Sequence, residues 1–334
     1  MTRYIIVGAG GVGATLAAHL HEAGIDHVLV GRGPHIEAIG RDGLRFVVHG
    51  EERRVPVVAA ASSDDVALTA QDVLVFATKT QDLEAAAKTW AWHSTGDVVG
   101  ADLVAVSLQN GLAADRILAR RFDRVVGGTI LTPARFLEPG QVVSGAGGAP
   151  GVITLGAVPS GRPEPLLEEI VEDLREASYL VEAVEDVRRW QGAKILWSVR
   201  NGIEVLGGDE DLKTSLGDAA VAEARRILEA EGIVPAEATE RTIDLTAFHP
   251  DPEHRLPAGQ QSTWQSFARG ASSEVDHLNG EIAALGVLHR IPTPANRALQ
   301  RVLGLAERRH EAPGTRDVAT VTALLEAALS VGAA

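Results

Sequence analysis

The sequence contains no cysteine, which excludes disulfide bonds, thiolate metal ligands and a cysteine nucleophile. Positive charge is also scarce, since 31 lysine and arginine residues stand against 45 acidic residues and give a net charge of −14. A partner such as nucleic acid or an anionic membrane requires a basic face, so we expect neither. The apolar runs are too short to span a membrane, and the chain opens on a strand pattern rather than a signal peptide. We therefore expect a cytoplasmic protein.

The length of 334 residues favours two domains. Strand and helix patterns alternate as far as a last strand at 179–184, and helical patterns dominate after it. This order predicts an α/β fold in which a Rossmann-type, doubly wound parallel sheet (1–185) precedes an all-helical domain (186–334). The finer predictions are an antiparallel pair of strands at 45–49 and 55–58, and helices at 188–205, 214–230, 273–289 and 293–307.

A glycine-rich loop near the N-terminus is the most informative segment. The apolar run 4–7 is typical of a buried strand, and the letters GAGGVG follow it directly, ahead of a helical pattern. In such a G-x-G-x-x-G loop the first glycine permits a tight turn, the second lets a pyrophosphate approach the backbone, and the third allows close helix–strand packing. We predict that Gly8, Gly10, Gly11 and Gly13 bind a dinucleotide at the helix N-terminus.

The end of the second predicted strand indicates which dinucleotide is bound. Sites for NAD usually place an acidic residue there to bind the ribose 2′-hydroxyl, whereas this chain has Gly31-Arg32-Gly33. A guanidinium group binds a 2′-phosphate, which a carboxylate would repel. We predict NADP(H) as the cofactor; the alternative is that Arg32 is a solvated loop cation.

Four loops that follow predicted strands are expected to meet in one crevice, because ligands of open α/β sheets bind beyond the carboxyl ends of the strands. These loops are 8–13, 31–32, Thr78-Lys79 and Gln109-Asn110. Their convergence makes Lys79 and Asn110 candidate site residues. A dinucleotide site without thiols or metal ligands implies hydride transfer to or from a carbonyl or imine, and reduction of a ketone also requires a proton donor.

Lys194 is the candidate proton donor. At about 100° per residue, Ser198 and Asn201 lie on the same face of the predicted helix as Lys194, among apolar neighbours. Such a polar stripe indicates a cleft that holds a polar substrate; a solvated surface lysine is the alternative.

The second candidate is Glu274, at the start of the predicted helix 273–289. By spacing alone, an acid at that position would stabilise the helix dipole.

Several segments, taken in order, resemble the ketopantoate reductase (2-dehydropantoate 2-reductase) family. They are GAGGVG, Thr78-Lys79, Gln109-Asn110-Gly111, the helix with Lys194 and Asn201, 262–265, 274–276, Asn279-Gly280 and 291–296.

This resemblance implies NADPH-dependent reduction of a 2-oxo acid to a 2-hydroxy acid, which for the namesake reaction is ketopantoate to pantoate in pantothenate biosynthesis. It implies that Lys194 is the general acid and that Glu274 binds the substrate and helps to orient the lysine. It also implies that Asn110 lies between nicotinamide and substrate, that Ser262 binds the substrate, and that Lys79 binds the cofactor. The expected partner is thus a small-molecule 2-oxo acid.

The chain differs from the family's common pattern at three positions. Ser198 stands where an asparagine is common, Gly202 replaces a second asparagine found in some members, and Ser266 replaces a frequent aspartate. We predict Ser198 and Asn201 as substrate contacts, with a shorter donor at 198 than asparagine provides.

Because these positions would hold the substrate, other substrates stay open. One alternative is a bulkier oxo acid, a ketone or an imine in a pocket lined by Trp197 and Trp264. Another is a non-catalytic NADP sensor, although a sensor has no need of a proton donor. The sequence also leaves a homodimer open as the oligomeric state.

Overall fold

The computed structural model describes residues 1–136, 138–254 and 257–332, and these form two compact units. As far as their residues are described, the first unit comprises Met1–Gln109, Ala114–Arg188 and Glu237–Leu256, and the second comprises Asn110–Ala113, Arg189–Ala236 and Pro257–Ala334. The predicted second domain ends at residues 333 and 334, which lie outside the described residues. Each unit is therefore assembled from separate stretches of chain, which a single boundary after residue 185 does not describe.

The β-strands are β1 (Arg3–Val7), β2 (His27–Val30), β3 (Leu44–Val48), β4 (Glu51–Val55), β5 (Ala59–Ala60), β6 (Asp72–Phe76), β7 (Ser94–Thr95), β8 (Val98–Val99), β9 (Val104–Ser107), β10 (Arg124–Leu131), β11 (Ala134–Arg135), β12 (Gln141–Ser144), β13 (Val152–Val158) and β14 (Leu180–Ala183). The α-helices are α1 (Gly11–Glu22), α2 (Pro34–Asp42), α3 (Thr80–Ala91), α4 (Ala114–Ala119), α5 (Leu167–Glu176), α6 (Val187–Ser198), α7 (Glu210–Ala230), α8 (Ser262–Ala268), α9 (Asn279–His289), α10 (Pro294–Arg308) and α11 (Val318–Gly332).

The first unit is built on an eight-stranded sheet with the order β14-β13-β10-β9-β6-β1-β2-β5. The six strands from β10 to β5 run parallel, whereas β13 pairs antiparallel with β10 and β14 runs parallel to β13. The order of the six parallel strands is that of a Rossmann fold, with its topological switch point between β1 and β6. This confirms the predicted α/β fold and adds two reversed strands at one edge.

Both faces of this sheet are buried, and β1 shows why. Tyr4 and Ile6 belong to one apolar core, together with side chains of α1 and α5, whereas Ile5 and Val7 belong to another, with side chains of α3 and α4. Alternate residues of a strand point to opposite faces, so a strand covered on both sides reads as a continuous apolar run. Helices thus cover both faces of the sheet, as in a doubly wound fold.

A second sheet in this unit has the order β11-β12-β3-β4. The predicted antiparallel pair is present as β3 and β4, but the prediction placed its second strand at 55–58, and β4 spans Glu51–Val55. The reason is physical: β4 is an edge strand with four exposed charged residues, EERR, so it carries no apolar pattern. A pair between Arg45 and Glu52, with a nitrogen–oxygen distance of 2.9 Å, joins it to β3.

The second unit is helical, as predicted, with an apolar core formed by side chains from α6, α7, α9, α10 and α11. Two predicted helices were too long. The helix predicted at 188–205 ends at Ser198 and is followed by a 3-10 helix at Asn201–Val205. The helix predicted at 273–289 begins only at Asn279. Among the described residues, no helix is both long and apolar enough to span a membrane.

The segment 237–254 returns to the first unit from the end of α7, and Arg241 anchors it there. Its guanidinium pairs with the carboxylate of Glu182, which is 1% exposed on β14. The backbone nitrogen of Thr242 also donates to Glu182, over 3.0 Å. A carboxylate buried this deeply requires such partners, so the returning segment is part of the unit's structure.

Candidate active site

The glycine loop has the geometry of a phosphate-binding turn. Gly8 has a φ of 118°, which favours glycine, and a Cβ at Gly13 would lie 1.9 Å from the carbonyl oxygen of Gly8. Around Gly10, by contrast, no atom of the described residues, other than Gly10 and its two neighbours in the chain, lies within 4 Å of the position that a Cβ would take. No acidic side chain lies in the first turn of α1, and no side chain caps it. Free backbone N–H groups therefore adjoin open space, and this fits a pyrophosphate.

The loop after β2 places Arg32 with its side chain exposed, immediately before Gly33, which has a φ of 70° and precedes α2. The backbone at Gly31 packs closely against the glycine loop, because a Cβ on Gly31 would lie 2.6 Å from the Cβ of Ala9 in that loop. The backbone before Arg32 thus adjoins the glycine loop, and no carboxylate stands at 31–33 to oppose an anion.

Gln109 holds the loop that carries Lys79. Its side-chain amide donates to the carbonyl oxygens of Phe76 and Thr78, at 2.9 and 3.0 Å. The nitrogen of Thr78 in turn lies 2.6 Å from where a Cβ on Gly8 would be. The ends of β1, β6 and β9 therefore meet at one edge of the sheet, as the sequence predicts, and Lys79 follows there at the start of α3.

In the second unit the structure brings together three predicted site residues. Asn110 donates through Nδ2 to Oε2 of Glu274, over 3.1 Å. Glu274 is only 6% exposed, and its charge acts on Lys194 of α6. Burial lowers the pKa of Lys194 to about 8, and the carboxylate of Glu274 opposes this by favouring the charged ammonium. An amine with this pKa exchanges its proton readily near neutral pH.

The position of Glu274 bears on its helix-dipole interpretation. It lies in a turn five residues before α9 begins, and its carbonyl oxygen accepts from the nitrogens of His277 and Leu278. The helix-dipole interpretation is therefore wrong, because Glu274 is outside the helix and its carboxylate accepts from Asn110. A buried carboxylate beside an amide and an amine is an arrangement typical of a site.

The other predicted substrate contacts are arranged differently. Ser198 is the last residue of α6 and is buried, whereas Asn201, also buried, begins the 3-10 helix that follows. The predicted single helical face therefore reaches Ser198 only. Ser262 is the first residue of α8, and its side chain is exposed.

Two of the three differences from the family pattern have a local explanation. A Cβ at Gly202 would lie 2.5 Å from Cδ1 of Leu303, so a larger residue would require the buried side chain of Leu303 to move. The Ser266 hydroxyl donates to the carbonyl oxygen of Ser262 within its own helix, over 2.8 Å.

The two tryptophans that the sequence suggests as pocket walls differ in exposure. Trp197, three residues after Lys194, is 57% exposed, and Trp264 is partly buried.

Sequence reasoning missed a buried polar cluster behind these residues, formed by Glu223, Asn279 and Asn296. Asn279 and Asn296 stand in the segments that carry the family resemblance, but their pattern alone indicates no role. Glu223 lies on a polar-looking stretch of α7 and offers no signal at all.

Within the described residues, no group of three or more histidine and acidic side chains could hold a metal ion.

The fold and these side chains together define a dinucleotide-binding α/β protein with a helical second unit. The family model described as "Ketopantoate reductase PanE/ApbA" matches residues 4–160, and the model of its C-terminal part matches residues 195–307. A 2-dehydropantoate 2-reductase of Pyrococcus horikoshii is 30% identical over 87% of this chain and 93% of its own length. The chain belongs to the ketopantoate reductase family.

Two solved structures show the same fold. A PanE/ApbA family ketopantoate reductase from Ralstonia eutropha, 23% identical, has a TM-score of 0.72 and matches 92% of this chain and 99% of its own. A D-mandelate dehydrogenase with bound NADH and anilino(oxo)acetate, 18% identical, has a TM-score of 0.75 over the same shares.

Proposed function

We propose that this protein is an NADPH-dependent reductase that converts a 2-oxo acid into a 2-hydroxy acid, with 2-dehydropantoate (ketopantoate) as substrate and pantoate as product. The observation that carries the proposal is the group formed by Lys194, Glu274 and Asn110. Family membership supports an oxidoreductase that acts on a CH–OH group. The curated relative quoted above is named for this reaction.

The proposed cofactor site uses the glycine loop for the pyrophosphate and Arg32 for the 2′-phosphate, with Lys79 as a further contact. The open space at Gly10 supports the first assignment, and the absence of an acid at 31–33 supports NADP(H) over NAD(H). When bound, reduced nicotinamide supplies a hydride.

The proposed role of Lys194 is to donate a proton from Nζ to the substrate's carbonyl oxygen as negative charge develops there. Its lowered pKa supports this role, because a proton donor works best when its pKa is near the working pH. Glu274 maintains the ammonium form and accepts from Asn110, whose amide is thereby oriented. We further propose that Ser198, Asn201 and Ser262 contact the substrate's polar groups.

A second substrate class is favoured by one observation, the exposure of Trp197. An indole that is 57% exposed three residues after the proposed proton donor offers an apolar surface to an apolar part of a substrate. A 2-oxo acid with an aryl or branched apolar side chain would do so. The D-mandelate dehydrogenase with the same fold is named for an aryl 2-hydroxy acid.

The test is oxidation of NADPH with ketopantoate and a panel of 2-oxo acids of increasing side-chain size, ranked by kcat/KM. Highest kcat/KM with ketopantoate supports the first substrate, and highest kcat/KM with aryl oxo acids supports the second. Tight NADPH binding without turnover of any carbonyl would contradict both and favour a sensor.

A further inference from the structure

Three buried polar side chains in the second unit lie outside the proposed catalytic group but form one hydrogen-bonded chain. Glu223 on α7, Asn279 on α9 and Asn296 on α10 are 4%, 1% and 0% exposed. Each such group loses its contacts with water on folding and is tolerated only where hydrogen bonds replace them. A fully hydrogen-bonded polar chain in a core therefore fixes one arrangement of the elements that it joins.

Asn279 joins two elements that matter for the reaction. Its Nδ2 donates to the carbonyl oxygen of Val199, over 2.9 Å, and to Oδ1 of Asn296, over 3.0 Å. Val199 directly follows the last residue of α6, the helix that carries Lys194. Asn279 is itself the first residue of α9 and follows the turn that carries Glu274.

That turn is tied closely to Asn279 by the backbone. The nitrogen of Leu278 donates to the carbonyl oxygen of Glu274, and the nitrogen of Gly280 donates to that of Val275, both over 2.9 Å. A displacement of Asn279 is therefore passed to Glu274 rather than absorbed by a loose loop.

Asn296 and Glu223 hold Asn279 from the other side. Nδ2 of Asn296 donates to Oε2 of Glu223, over 2.8 Å, and to the carbonyl oxygen of Ala220, over 2.9 Å. The carboxylate of Glu223 also accepts from the backbone nitrogens of Ala295 and Asn296, over 2.8 and 2.9 Å. With both donors of Asn296 used, its Oδ1 faces Asn279, so the amide of Asn279 has one orientation.

We propose that Asn279, held by Asn296 and Glu223, is a positioning residue that sets the separation between the helix of Lys194 and the turn of Glu274. The inference rests on the proposed function, in which these two side chains share one proton-transfer site. The buried polar chain thereby holds the carboxylate of Glu274 and the amine of Lys194 at a fixed separation.

The test combines Asn279→Ala with Glu274→Gln and the double variant. A displacement near 1 Å at a reacting group costs about 100-fold in rate, so we expect Asn279→Ala to lower kcat by about that factor. In the Glu274→Gln background the same change should lower kcat less than about threefold, because residues that act through one another are not additive. The KM for NADPH should stay as in the wild type, because the glycine loop, Arg32 and Lys79 lie in the first unit, away from the substituted residue.

A second readout does not require turnover. Acylation of Lys194 by acetic anhydride, followed by mass spectrometry across pH, reports the pKa of its amine directly. We expect about 8 in the wild type and a higher pKa in Asn279→Ala, because a looser site admits water and burial is the main cause of the lowering. Glu223→Gln should act in the same direction more weakly, and it serves as the second variant if Asn279→Ala does not fold.

The matched control is Val321→Ala, which removes a fully buried side chain of α11 from the same core without touching the polar chain. It should retain the wild-type pKa of Lys194 and the wild-type kcat. Wild-type kcat and Lys194 titration in Asn279→Ala, or full additivity with Glu274→Gln, would overturn the inference. A wild-type protein without turnover whose Lys194 titration still shifts in Asn279→Ala would instead contradict the proposed function alone.

Discussion

The side-chain amide of Asn110 and the carboxylate of Glu274 are 3.1 Å apart, although 164 positions of chain separate them. Asn110 belongs to a four-residue piece of the second unit that follows β9 and its Gln109. The residue that follows Gln109 in the chain therefore contacts the carboxylate that influences Lys194.

The pH dependence of reduction should follow the ammonium of Lys194. Because the pKa is lowered to about 8, the donor is protonated below that pH and loses its proton above it. We expect kcat/KM for reduction to be constant below pH 8 and to fall above it, and the reverse oxidation to rise over the same range. Initial rates in both directions across pH check this, and a flat reductive profile up to pH 10 would contradict it.

Glu274→Gln should move that descending limb to lower pH. Glutamine still accepts from Asn110, but it removes the negative charge that raises the pKa of Lys194. The amine therefore loses its proton at a pH below 8. Glu229→Gln, an exposed acid on α7, is the control and should leave the profile in place. A descending limb that moves to higher pH would show that the carboxylate of Glu274 does not raise the pKa of Lys194.

Lys194→Ala should remove the proton donor and lower kcat by about 100- to 10,000-fold, the range of general acid catalysis. The chain has few lysines, and Lys213 on α7 offers a matched change because it pairs with an exposed carboxylate, that of Glu210. Lys213→Ala should retain wild-type kcat. Titration calorimetry with NADPH should show similar binding in both variants, and retention of most turnover in Lys194→Ala would rule out this mechanism.

Arg32→Ala should weaken NADPH binding and leave NADH binding almost unchanged. A hydrogen bond to a charged group contributes about 1.5–3 kcal/mol, which corresponds to about a 10- to 100-fold rise in the Kd for NADPH. Arg41→Ala on α2 removes an exposed guanidinium that pairs with Asp42 and is the control. Equal losses for the two cofactors would favour the solvated-cation interpretation.

Gly10→Ala should abolish dinucleotide binding without destabilising the protein. An added Cβ meets no atom within 4 Å in the described part of the chain beyond its two neighbours, and a φ of −70° suits alanine, so a bound phosphate is what would clash. Gly304→Ala on α10 is the control, since its Cβ also meets nothing. Melting temperatures together with NADPH affinities check this; unchanged affinity in Gly10→Ala would place the phosphates elsewhere.

The parts of the fold that the sequence predicted well depend on short-range pattern. The strand, glycine loop and helix from Arg3 to Glu22 are adjacent in the chain, and both faces of β1 are apolar. The start of α9 was wrong by six residues because the apolar spacing continues through 273–278, whereas Leu278 takes a φ of −108° and a ψ of −84° that no helix has. The apolar spacing alone does not reveal this break before the helix.

The candidate site, too, could be predicted from the sequence only where a local pattern or the resemblance marks it. Lys194 and Glu274 could be singled out from spacing and resemblance, but the lowered pKa of Lys194 depends on burial, which no local pattern reports. The polar chain from Glu223 to Asn279 joins the consecutive helices α9 and α10 to α7, which is distant from both in sequence. Its members look like ordinary helix residues until the helices are packed.

The return of residues 237–254 to the Rossmann unit has a consequence for anyone who recombines these proteins. A fragment that stops at residue 185 keeps Glu182 yet loses Arg241, and an ionised carboxylate stripped of its buried partner costs about 3–5 kcal/mol. Chimeras with another family member should therefore exchange the stretch around Arg241 together with the nucleotide-binding half, although it is encoded among the helices.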